Sequence, residues 1–194
     1  WPHIVEGPDE RKGQMLTVFR GYSEILYSGA LTSQQVEDIY QMGLGTTNCS
    51  ASTIGIGRFL TVGSPSAGGI FTHIPFGFAY GLLRNDMVDE FHLQFFTLSA
   101  HSYTRGTWTT PESAHIDRNV GSVAYASAGV NNVPLYLKWA LTFEEPEGQT
   151  LWLAKATPRE WLEPGEAPII AAEVPTRYGR VSFELRASTS DRAS

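Results

Sequence analysis

The spacing of apolar side chains changes once along this chain, near Gln149. Before it, apolar residues recur at steps of three and four, the period of one helix face. After it they alternate with polar residues, the period of a half-buried strand. A chain written this way is expected to fold as paired helices first and a small β unit last. From Arg11 to about Ala30 the stripe is Met15, Val18, Phe19, Tyr22, Ile25 and Leu26, closed by Gly29. Thr32 and Gln35 have capping-box spacing, and Val36, Ile39 and Tyr40 continue on one face until Gly43. Together these segments read as a helical hairpin.

The Gly/Ser/Thr-rich stretch from Gly43 to Gly69 reads as a long loop, with room for a short strand around Arg58 to Val62. A second hairpin follows. Ile70 to Leu83 has helical spacing but contains Pro75, Gly77 and Gly81, which predicts a kink or close packing against a neighbour. Asn85 or Asp86 is expected to cap the next helix, which carries Val88, Phe91, Phe95 and Leu98. An irregular segment then runs from Tyr103 to about Asn132. A last helix begins near Pro134, carries Leu135, Trp139, Ala140 and Phe143, and stops before Glu144-Glu145-Pro146-Glu147-Gly148.

Beyond Gln149, Leu151 and Leu153 read as a strand. Thr157-Pro158-Arg159-Glu160 supplies an N-cap, a first-turn proline and a capping-box acid for one helical turn anchored by Trp161 and Leu162. A strand over Ile169 to Val174, a turn over Pro175 to Gly179, and alternating Val181, Phe183 and Leu185 complete an antiparallel hairpin. The predicted division is therefore a helical-hairpin region over 1–148 and a β subdomain over 149–194.

The run LWLAKATPREWLEPGEAPIIAAEVPTRYGRVSFEL, Leu151 to Leu185, resembles the C-terminal part of the six-hairpin glycosidases related to the α-L-rhamnosidases. The resemblance lies in a strand, an Ala-Thr-Pro-Arg-Glu-Trp-Leu turn, and a hairpin whose second strand contains Tyr-Gly-Arg-Val-Ser-Phe. It covers the last quarter of the chain closely and the helical part in pattern only. It implies a mainly α fold, helical hairpins of a partial (α/α)6 toroid followed by a small antiparallel β subdomain, and hydrolysis of a glycosidic bond. Six hairpins need about twelve helices, and at roughly 11 to 12 residues each plus loops only about half a toroid fits. The partners implied are carbohydrate, the N-terminal half of the toroid, or another copy of the chain.

Charge and motifs narrow the alternatives. The net charge is -6 and Lys and Arg are scattered, so no basic surface is offered to nucleic acid. No apolar run approaches the roughly 18 to 20 residues of a membrane span. The chain begins at Trp1 with no signal-like segment, and is read as processed or as a piece of a longer one, with secretion or a periplasmic location left open. No H-E-x-x-H or Cys/His cluster occurs, so neither a metal nor another cofactor is expected. Cys49 has no nearby His to activate it.

The candidate site is the segment TWTTPESAHID, Thr107 to Asp117, with Tyr103 and Arg105 just before it. Glycoside hydrolysis needs two carboxyl groups, one protonated and one ionised, across the scissile bond. Glu112 is the first candidate for acid or base and Asp117 the second, with Trp108 for stacking on a sugar ring. His115 is a candidate proton carrier or substrate contact. His73 and His101 sit among apolar neighbours on predicted helices, placed to line a cavity or to serve as hydrogen-bonded core residues. The same loop also fits a plain turn with a solvated Glu112 and a packed Trp108. Two further readings stay open: a non-catalytic carbohydrate-binding or assembly module, and a polysaccharide lyase using Tyr103, His115 and Arg105.

Overall fold

The computed structural model describes residues 25–45, 58–59, 69–71, 76–102, 113–115, 125, 130–145 and 147–187. In chain order the elements are α1 (Ser33–Gly45), β1 (Arg58–Phe59), β2 (Gly69–Phe71), α2 (Phe76–Arg84), α3 (Val88–Ser102), β3 (Ser113–His115), α4 (Asn132–Leu141), β4 (Thr142–Glu145), β5 (Thr150–Leu153), a 3-10 turn (Arg159–Leu162), β6 (Ile169–Thr176) and β7 (Gly179–Leu185). The chain divides into two units, residues 1–136 and 137–194. Among the described residues no helix is long and apolar enough to cross a membrane.

The expected mainly α architecture, a partial (α/α)6 toroid of helical hairpins, is not what the chain forms. The four helices α1 to α4 and a helical stretch at residues 25–28 share the described residues with seven strands arranged in three antiparallel sheets. One sheet, ordered β1-β2-β3, joins β1, which lies where the sequence leaves room for a short strand, to β2 and β3, whose segments read as helix and as irregular loop. Arg58 pairs with Ile70, and Gly69, Ile70 and Phe71 pair with His115, Ala114 and Ser113. Strands of two or three residues are too short to show a period of two, and their partners are remote in sequence. Pairing of this kind is a tertiary choice that local spacing does not announce. The helix predicted over 70–83 begins only at Phe76, directly after Pro75 in sequence, because proline offers no amide hydrogen and steers its predecessor away from the α region.

Within the first unit the helix ends follow local chemistry. Thr32 and Gln35 form the expected capping box. The Thr32 amide donates to Gln35 Oε1 at 3.0 Å, and the Gln35 amide donates to Thr32 Oγ1 at 3.3 Å. At the end of α2 the Met87 amide donates to the Leu82 carbonyl (2.9 Å) and the Asp86 amide to that of Leu83 (3.3 Å), with Asp86 at φ 58. That is a Schellman closure with an aspartate in the left-handed position. Asn85 belongs to the same closure, its side-chain amide donating to the Gly81 carbonyl at 2.8 Å, instead of capping α3.

The core of this unit is aromatic. Phe91 stacks on Phe95 at 6.0 Å, and the Tyr136 ring packs against both, 6.0 and 6.4 Å away. Gln94 is 1% exposed on the same helix as the two phenylalanines. Burial holds the Tyr136 phenol well above its ordinary pKa, outweighing the lowering influence of the nearby Gln94 amide, so the ring stays neutral. Neither polar atom of the Gln94 amide completes a hydrogen bond of ordinary geometry.

Gly81 fulfils the close approach its position predicted: a Cβ there would sit 3.1 Å from the Leu26 side chain. Gly29 has φ 70, and a Cβ there would fall on the Arg84 guanidinium. The guanidinium can swing aside, but the left-handed backbone cannot be relieved. Gly29→Ala is therefore expected to lower unfolding stability by about 1–2 kcal/mol, read from urea titration. An unchanged midpoint would show that the turn relaxes freely.

In the second unit α4 passes into β4 without a loop, so the helix ends at Leu141 and not before Glu144. Pairing with β5 captures Thr142 and Phe143, in register with Leu153 and Trp152. The 3-10 turn forms where a helical turn was predicted, but without its Thr157 cap, since the buried Thr157 hydroxyl has no hydrogen-bond partner. The hairpin β6–β7 carries a bulge between Ala171 and Val174. There Glu173 takes φ 53, its amide accepted by Ser182 Oγ at 2.9 Å and its carbonyl held by Arg180 Nη1 at 3.0 Å.

Candidate functional site

A cluster of directed polar contacts on the second unit is built around two consecutive glutamates of β4. A strand sends successive side chains to opposite faces, so Glu144 and Glu145 cannot share one task. Glu144 faces the helix and the β6–β7 turn. Its Oε1 accepts from Lys138 Nζ at 2.8 Å, and its Oε2 accepts from the Arg177 amide at 2.9 Å and from Arg177 Nε at 3.2 Å. The carboxylate thus ties α4, β4 and the turn between β6 and β7 together. Burial is the largest single influence on it and pushes the carboxyl pKa up. The hydrogen bonds and charges of Lys138 and Arg177 together outweigh burial and leave it below its ordinary value.

Glu145 points the other way and orients an indole. Its Oε2 accepts from Trp152 Nε1 at 2.9 Å. Trp152 pairs in register with Phe143, and Lys155 lies over both rings, its Nζ 4.6 Å from the Trp152 centroid and 5.4 Å from that of Phe143. The Glu145 backbone carbonyl accepts from the Tyr178 hydroxyl at 3.4 Å, a long contact that holds the phenol only weakly. Trp152 remains 44% exposed and Tyr178 46% exposed. Two aromatic side chains anchored on one residue therefore stand at the surface, the indole with its N–H edge and one face already engaged.

The turn that bears Tyr178 is shaped from within as well. Thr176 Oγ1 donates to the Gly179 carbonyl at 2.6 Å and accepts from the Tyr178 amide at 3.1 Å, while Gly179 supplies φ 114. Chemically this surface offers stacking area, acceptor oxygens and the Lys155 ammonium, groups that a saccharide-contacting wall can use. It offers no arrangement for bond cleavage by itself: Glu145 is committed to the indole and Glu144 to its clasp.

The residues singled out from sequence fall elsewhere along the chain. His115 lies in β3, in register with Gly69, so part of the predicted loop is strand. His101 lies within α3. Tyr103, Arg105, Trp108, Glu112, Asp117 and His73 lie outside the described residues. Among the described residues no cluster of His, Cys, Asp or Glu is arranged to hold a metal ion. Sequence reading passed over Trp152, Glu144, Glu145 and Tyr178. One signal was present: in a strand that holds Leu151 and Leu153, Trp152 projects to the opposite face from both. No protein-family model, no curated protein and no solved structure matches this chain.

The pKa of Glu144 gives a signed expectation. A carboxyl whose folded pKa is lowered contributes stability that is fully present above its unfolded pKa and is lost as pH falls through the folded value. Urea midpoints measured from neutral to acid pH should therefore decline through and below the ordinary glutamate range. In Glu144→Gln that part of the decline should vanish, leaving a protein less stable at neutral pH and little changed in acid. Parallel pH profiles for the two proteins would contradict the clasp.

Proposed function

We propose that the chain is a carbohydrate-active protein, acting as a glycoside hydrolase or as part of one, whose β unit meets saccharide through Trp152. The observation that carries the binding half is that indole: nearly half exposed, yet fixed by Glu145 at its N–H edge and by Lys155 over one ring face. A sugar ring stacks on an aromatic face most favourably when the face is already ordered, because little side-chain entropy is then lost on contact. The hydrolytic half rests on Glu112 and Asp117 as the carboxyl pair, with Trp108, His115, Tyr103, Arg105 and His73 as substrate contacts. The family resemblance of the Leu151 to Leu185 run supports it, and the strand, turn and hairpin of that run are present as β5, the 3-10 turn and β6–β7.

A second reading, assembly with another copy of the chain, is favoured by one observation. Leu93 and Phe96, three residues apart on one face of α3, are 37% and 45% exposed. Sedimentation velocity separates this reading from a monomeric binder.

Native electrophoresis in gels containing amylopectin, xylan, hydroxyethyl cellulose or polygalacturonate tests the binding claim. Wild-type protein should be retarded by at least one polymer, and Trp152→Ala should migrate as in a polymer-free gel with unchanged circular dichroism. Glu112→Gln should remain retarded but release no reducing ends. Unretarded wild-type migration in all four gels would remove the proposal.

A further inference from the structure

The proposed saccharide surface has two exposed aromatics on one anchor, and their holds differ in strength. Trp152 is fixed directly, by a 2.9 Å bond to Glu145 and by the Lys155 ammonium. The Tyr178 hydroxyl is held by a 3.4 Å contact with the Glu145 carbonyl, too long to place a ring unaided. What brings Tyr178 to β4 is the residue before it. Arg177 is bound through both its amide and its guanidinium Nε to one oxygen of Glu144, across 33 residues of chain. Arg177 thus links that turn to β4 through Glu144, and Glu144 is held in turn by Lys138.

We infer that Glu144 is the positioning residue of this surface: its carboxylate fixes the 176–179 turn against β4 and so sets the Tyr178 hydroxyl against the carbonyl of Glu145, the residue that anchors the indole. This rests on the reading of Trp152 as a saccharide contact. Glu144 itself faces away from that surface and touches no ligand. Its effect on binding passes through the turn, which requires it to disappear when Tyr178 is absent. A residue that merely stabilised the unit would act equally whether or not Tyr178 were there.

Two measurements on the full chain test this. In the first, amide hydrogen exchange is followed at Arg177 without any saccharide. Glu144→Ala should exchange about tenfold faster than wild type at that amide, and Glu144→Gln, which keeps an acceptor oxygen, should recover most of the protection. In the second, affinity for whichever of the four polysaccharides retards the wild type is compared in wild type, Glu144→Ala, Tyr178→Ala and the double variant. Glu144→Ala should weaken affinity about tenfold alone and leave it unchanged in the Tyr178→Ala background.

Unchanged exchange at Arg177 overturns the inference. So does a Glu144→Ala effect that persists in the Tyr178→Ala background, or wild-type affinity in Glu144→Ala while Trp152→Ala has lost it; these outcomes leave the saccharide reading standing. Absence of binding by wild type itself overturns both.

Discussion

An isolated two-stranded hairpin is marginal in water, and the second unit contains two of them. The carboxylate of Glu144 is the contact that turns these pieces into a unit with a surface. It receives an ammonium from α4 and both donors of Arg177 from the β6–β7 turn, while its own strand is paired with β5. Partial burial strengthens the arrangement, since charges that lose water interact more strongly when fully paired. The placement inferred for Tyr178 presupposes that the Glu144 side chain stays bonded to the turn.

The alternation of strand side chains then separates structure from function over two adjacent residues. Glu144 is spent on tying elements together, and Glu145, one residue later and on the opposite face, holds the indole of Trp152. The juxtaposition explains how a small β unit can present ordered aromatics without a deep cleft. An indole fixed at its N–H edge and covered on one side is a one-faced platform. Such a platform suits one side of an extended chain better than it suits an enclosed small molecule.

What was legible in the sequence was whatever local chemistry determines. The Thr32 and Gln35 box, the close approach at Gly81, and the alternation of β6 and β7 all depend on residues a few positions apart, and each forms as read. The sheet β1-β2-β3 depends on partners far apart in sequence and on strands too short to carry a period. The segments of β2 and β3 therefore read as helix and loop, only β1 lying where the sequence leaves room for a short strand, and the toroid implied by the resemblance of the Leu151 to Leu185 run does not form. The passage from α4 to β4 was hidden for a related reason: Thr142 and Phe143 continue an apolar helix stripe until the β5 partner claims them. The surface was missed because Arg177 and Glu144 meet across 33 residues, a distance that spacing cannot reveal. Glu144 and Glu145 read only as the acidic stop of a helix. The candidates Glu112 and Asp117 flank β3 in sequence and lie outside the described residues.

The central claim is that saccharide meets a Trp152 surface organised from behind by Glu144. Nitrogen-15 correlation spectra resolve the indole N–H groups of the five tryptophans, together with the Arg177 amide. Titration with soluble malto-, xylo- and cello-oligosaccharides should shift the Trp152 indole and the Arg177 amide together, saturably and with one dissociation constant. Oligosaccharides that shift another indole while both of these stay still would contradict the account.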